Sequence, residues 1–179
     1  MTGTPFLAAF DAGTQQEAQA ELTACCASPR WAAEVAARRP YHDLATLTGV
    51  SDAALAGLDW DEVLLALAAH PRIGERASAA TEAATEAREA AWSRGEHSAA
   101  ATGLAADADL AERLTEGNVE YERRFGHVFL ICASGRPAEE ILDALHRRLG
   151  NDDEAERLVV REELRRIVTL RLARLVDGS

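Results

Sequence analysis

Aromatic side chains are scarce in this chain, at 5% of 179 residues, and no alternation of β-branched with polar residues is sustained along it. Alanine and leucine dominate instead, so helical periodicity is the main signal and a sheet protein has little to build on. Long apolar runs are missing too. Nothing approaches the roughly eighteen consecutive apolar residues of a membrane span, and the N-terminal MTGTPFLAAFDAG sets no basic region ahead of an apolar one. The C-terminal LVDGS is no peroxisomal address, which leaves the cytoplasm as the expected compartment. Cysteines number three, Cys25, Cys26 and Cys132, an odd count with two adjacent. That is neither a disulfide framework nor a spaced zinc set, and buried reduced thiols are the expectation. Positive charge is also short: 19 basic residues face 30 acidic ones, for a net charge of −11. Such a surface repels nucleic-acid phosphates and anionic lipid, so neither partner is expected. An anionic small substrate would need a local cationic feature.

What is present reads as one all-α domain, residues 1–179, without repeat, linker or low-complexity segment. Helices are expected at Pro5–Phe10, Gln15–Cys26 and from Ser28-Pro29 through Arg39, where Pro40 stops the third. Two short ones follow at His42–Leu47 and Asp52–Ala56. Asp59 caps a stronger helix from Trp60 to Ala69, ended by Pro71 because the residue before proline is biased away from helical angles. Thr81–Ser93 reads as a helix with a solvated face, and Ala99–Phe125 as a long one interrupted or bent near Gly103. FGHVFLICASG resembles a strand, but a lone strand has no partner here, so a buried extended segment or short helix entry is expected. Pro137 opens a helix to Leu149, and Asn151-Asp152-Asp153 caps the last, through Val176.

Several residues sit awkwardly in that scheme. In the last helix, at about 100° per residue, Val160, Leu164, Ile167, Val168 and Leu175 share one arc, with Arg171 near its centre. A guanidinium in an apolar stripe either pairs with a buried carboxylate, snorkels to the surface or faces a pocket. Ser93 and Glu96 have the spacing of a helix capping box, and His97 beside Glu96 is too little for a metal site; no HExxH or paired CxxC is present. Asn118, Tyr121 and His127 have adequate structural roles available. His70, between an apolar helix and Pro71, is either a capping group or a rigidly held imidazole at a pocket.

Taken in order, AHPRIG (Ala69–Gly74), Ser93 with Glu96, NxxYxxRFGHVFLICASGR (Asn118–Arg136) and LRL (Leu170–Leu172) resemble the 2-oxo-4-hydroxy-4-carboxy-5-ureidoimidazoline (OHCU) decarboxylase family of urate degradation. The match runs from RRPY (Arg38–Tyr41) to the C-terminus. The resemblance implies a compact all-helical fold, a homodimer, no cofactor, and release of carbon dioxide from OHCU to give (S)-allantoin, with a possible pathway association with hydroxyisourate hydrolase. It places catalytic roles on His70, Glu96 and Arg171. Substrate contacts fall on Pro71, on Ser93, Arg94, Gly95, Glu96 and His97, and on the backbone of Phe129, Leu130, Ile131, Cys132 and Ala133. One departure stands out: the family commonly has glutamine where this chain has His97, a group that titrates. A decarboxylase of a related ureido acid and a non-catalytic helical interaction domain are the competing readings.

Overall fold

The computed structural model describes residues 5–74 and 91–178. The described chain is helical, with no strand. Its helices are α1 (Pro5–Ala12), α2 (Gln15–Thr23), α3 (Pro29–Ala37), α4 (Leu44–Ala56) and α5 (Trp60–Ala68), then α6 (residues 91–96), α7 (Ser98–Ala106), α8 (Ala108–Phe125), α9 (Ala138–Leu149) and α10 (Asp153–Asp177). Of the helix expected over Thr81–Ser93, only residues 91–93 lie among those described, and they are helical.

Helix starts follow local chemistry. The side chains of Ser28, Asp43, Asp59, Asp107 and Asp152 each accept a bond from a first-turn amide, and Thr14 with Glu17 forms a reciprocal capping box at α2. Most helix ends fall within three residues of expectation, α2 for example stopping at Thr23 rather than Cys26, but two stretches divide differently. The short helices at His42–Leu47 and Asp52–Ala56 are one helix, α4, running through Gly49. Glycine there costs about 1 kcal/mol relative to alanine, and packing of α4 on α3 and α10 outweighs it. The long helix is interrupted, as one of the two expectations had it, but at Asp107, which ends α7 and caps α8, rather than at Gly103.

The helices enclose two apolar clusters. Helices α1–α5 and α10 surround Trp31, Leu22, Leu47, Leu67, Leu164 and Leu172. The second cluster lies among α7, α8 and α9, around Leu114, Tyr121, Ile141 and Leu145. Gly117 lets α8 and α9 approach, since a Cβ built there would stand 2.7 Å from Leu145 Cδ2.

A strap of extended chain joins the clusters. Gly126, at φ 76°, caps α8 in the left-handed region, and the following residues carry no regular structure until α9. Side chains alternate across extended backbone. Accordingly Leu130, with Val128 and Cys132 beside it, packs in the first cluster, while Phe129, Ile131 and Ala133 pack in the second. The strand-like composition of FGHVFLICASG therefore records burial on two sides, without sheet pairing.

Candidate functional site

His70 stands where α5 gives way to the loop leading from the first cluster toward Ile73 in the second. Its amide donates to the Leu67 carbonyl at 2.9 Å, and the residue is 8% exposed. Nδ1 lies 2.9 Å from the Ala66 carbonyl oxygen. A carbonyl only accepts, so Nδ1 carries the proton and Nε2 presents a lone pair. Nε2 is buried and has no hydrogen-bond partner among the described residues. Burial, reinforced by the charge of Arg171, pushes the imidazole pKa down to about 3, the Ala66 bond opposing only in part. His70 is therefore a neutral imidazole at physiological pH and not one that titrates near neutrality.

That shift has a thermodynamic consequence. The unfolded chain binds a proton at this ring below about pH 6.5, whereas the folded chain resists it down to about 3. Stability is therefore full above the unfolded value and falls with acidification between these limits, by about 1.4 kcal/mol per pH unit at most. Urea unfolding between pH 7 and pH 5 should show His70→Gln losing less stability than the parent; parallel losses would place the acid sensitivity elsewhere.

Opposite this ring α10 carries Arg171, with 0% exposure, and α6 carries Glu96, with 4%. Arg171 Nε and Nη2 donate to the two carboxylate oxygens, each at 3.1 Å. Nη2 also donates to Ser93 Oγ at 2.9 Å and Nη1 to the Cys25 carbonyl at 3.4 Å. A second guanidinium reaches the same carboxylate: Arg174 Nη1 donates to Glu96 Oε1 at 3.0 Å. Ser93 and Glu96, spaced like a capping box, are instead drawn together inside a helical turn as partners of Arg171. His97 follows, half-buried; burial lowers its pKa, Glu96 opposes and Arg171 assists. Both Arg171 and His97 act electrostatically on His70, which shows that α5, α6 and α10 converge on one site.

The strap forms another wall. The Cys132 thiol feels the charges of Glu163, Glu96 and Arg136, with burial raising its pKa most. Its amide donates to Glu163 Oε2 at 2.8 Å, so this N–H, expected to face a ligand, is already engaged. The amides of Phe129, Leu130, Ile131 and Ala133 make no hydrogen bond among the described residues. Behind the strap, Arg148 Nη1 donates to the Leu130 carbonyl at 2.6 Å, while Nε and Nη2 hold Glu156 Oε1 at 2.8 and 2.6 Å. The Arg148 guanidinium also lies 4.6 Å from the Phe129 ring centre. Tyr121 donates its hydroxyl to Glu156, and burial raises its pKa far above the usual phenol value.

The structure thus brings together His70, Ser93, Glu96, His97, Arg171 and Cys132. Arg94 and Gly95 are exposed. Pro71 is half-buried beside His70. Asn118 donates to the Ile73 carbonyl at 3.1 Å, the structural role expected of it. Cys25 and Cys26 are buried and in no disulfide, as expected, whereas Cys132 is only partly buried. Arg174 and Glu163 were not legible as site residues. The one available signal was their placement on the helix of Arg171, at three residues beyond it and about two turns before it.

The described residues thus form an all-helical arrangement that holds a neutral imidazole and an arginine-clamped carboxylate, two kinds of group that can move protons. A profile of the OHCU decarboxylase family matches residues 11–173, and the chain belongs to that family. It is 31% identical over 159 residues to the uric acid degradation bifunctional protein TTL of Arabidopsis thaliana, covering 89% of this chain and 47% of that one. It is 42% identical over 87 residues to the 2-oxo-4-hydroxy-4-carboxy-5-ureidoimidazoline decarboxylase of Amia calva, covering 49% of each. The chain therefore spans about half the length of the curated relatives it matches. A crystal structure of OHCU decarboxylase in the presence of (S)-allantoin superposes with a TM-score of 0.74 at 28% identity, over 88% of this chain and 98% of that one. The crystal structure of an (S)-allantoin synthase shares the fold, with a TM-score of 0.66 at 19% identity over 96% of this chain and 54% of that one.

Proposed function

We propose that this protein decarboxylates OHCU to (S)-allantoin. The observation that carries the reading is the unpartnered Nε2 of a neutral, buried His70 beside the Glu96–Arg171 pair, in a chain of this family. The substrate's carboxylated carbon also bears a hydroxyl and adjoins the ring carbon that carries the ureido group and a C=N bond. When the bond to carbon dioxide breaks, its electron pair moves toward that C=N, which serves as the sink. The hydroxyl proton then leaves as a carbonyl forms, and a proton enters at the neighbouring ureido carbon, creating the stereocentre.

His70 Nε2 takes the hydroxyl proton. Burial disfavours the imidazolium, so the proton does not rest on the ring but passes to the ureido carbon as the carbonyl forms. Glu96 has about four lone-pair positions; the two arginines take three of them, all that is shown occupied. The remaining one, on Oε2, accepts from a ureido N–H. The unengaged strap amides donate to the ring carbonyl as charge develops on it. Pro71 limits the freedom of the turn that holds His70.

Circular dichroism of freshly generated OHCU tests the reading. Spontaneous decay gives racemic allantoin, so the enzyme should produce a rapid signal of one sign; a trace that follows the spontaneous reaction refutes it. A related ureido acid is the second reading, favoured by the half-buried His97 beside Glu96, and faster turnover of such a compound would select it. The convergence of His70, Glu96 and Arg171 weighs against a non-catalytic interaction domain. The same proposal includes a cytoplasmic homodimer and a place beside hydroxyisourate hydrolase. The bifunctional uric acid degradation protein among the relatives supports the pathway link.

A further inference from the structure

A protein of net charge −11 that acts on an anion needs positive charge at the site. The arginine that the family resemblance singles out supplies little of it. Arg171 is fully buried, and its guanidinium bonds inward to Glu96, Ser93 and the Cys25 carbonyl. Its charge and that of Glu96 cancel, and His70 is neutral. Arg174 differs on each count. It lies one turn further along α10 on the same face, and its side chain is 25% exposed. A single Nη1 bond to Glu96 Oε1, at 3.0 Å, ties it to the site, and Nε and Nη2 have no partner among the described residues. Around the Glu96 carboxylate, Arg174 is the cation left over after the buried pair is neutralised.

Resting on the decarboxylase reading above, we propose that Arg174 binds the substrate's departing carboxylate, while Arg171 is a positioning residue for Glu96. The bond to Glu96 holds the Nη1 end of the Arg174 guanidinium at the site and leaves its Nε–Nη2 edge for a carboxylate, the geometry in which arginine recognises such groups. This attraction belongs to the bound substrate. It weakens as the carboxylate becomes neutral carbon dioxide, so it contributes to binding rather than to the chemical step. Arg136 also lies near Cys132, close enough for its charge to act on the thiol, but it makes no bond to Glu96.

Steady-state kinetics of Arg174→Met, Arg174→Lys and Arg136→Met decide the matter. Arg174→Met should raise KM for OHCU roughly 10–100-fold, the span of a lost charged hydrogen bond, with kcat held within about threefold. Inhibition by (S)-allantoin, which is neutral and lacks the carboxylate, should be unchanged. Added salt should lower kcat/KM of the parent more than that of Arg174→Met, and lysine should restore part of the binding. A fall in kcat at constant KM would reduce Arg174 to a support for Glu96 and overturn the proposal. So would equal weakening of OHCU and allantoin, or a larger KM effect at Arg136. A parent enzyme that leaves OHCU untouched would refute the decarboxylase reading instead, before any variant is compared.

Discussion

Replacing His70 by alanine should lower kcat for OHCU by roughly 10²–10⁴-fold, the usual worth of one general acid–base group, while the helical circular dichroism persists. The ring is held by one short bond to Ala66 and one apolar helix end, so its removal leaves a small cavity and frees a carbonyl without breaking a charge pair. His70→Gln separates two roles. Glutamine can still donate to the Ala66 carbonyl and offer an oxygen near the former Nε2, but it takes up no proton in this pH range. If proton transfer is the role, both variants are slow and equally so; glutamine restoring most of the rate would make hydrogen bonding sufficient. The acid limb of kcat should not show an imidazole near pH 6.5, because the folded ring titrates at about 3. An acid limb near neutrality that survives in His70→Gln would belong to another group.

The largest loss of stability should come from Glu156→Gln, about 3–5 kcal/mol, because it leaves the Arg148 charge buried without its counterion. Glu156 is 1% exposed and Arg148 7%. The carboxylate also accepts from Tyr121 and, at 2.8 Å, from Asn151 Nδ2, so several donors lose one acceptor together. Against a typical total of about 5–15 kcal/mol, such a variant is near its folding limit. Arg148→Met should be similarly costly and should also release the Leu130 carbonyl that fixes the strap. Joint replacement by Met and Leu should cost less than the sum of the single changes, since the pair also bears a desolvation penalty. Urea midpoints of the singles and the double check this; additive losses would show that the two side chains contribute independently.

Much of the fold was legible because the signals are local. Ser28, Asp59 and Asp152 cap helices through amides three residues away, and such bonds form within one turn of chain. The places where local reading failed are places where packing decided. Gly49 lies inside α4 because neighbouring helices hold it, and the break before α8 falls at Asp107 because its side chain offers a cap that Gly103 lacks.

The site divides the same way. His70, Glu96 and Arg171 could be named from motif order, and Arg171 also from its position in an apolar arc, where a guanidinium demands a partner. That the partner is Glu96, 75 residues away, is a property of how α6 meets α10. By itself the sequence determined an all-helical domain, its caps, its family and three candidate groups, since propensity, capping and periodicity act over a few residues. Tertiary structure alone decided that Ser93 and Glu96 bind Arg171 rather than cap a helix. It also set the neutral state of His70, the engagement of the Cys132 amide by Glu163, and the exposure of Arg174. Burial and long-range charge pairing depend on which elements meet, and no pattern along the chain encodes that meeting.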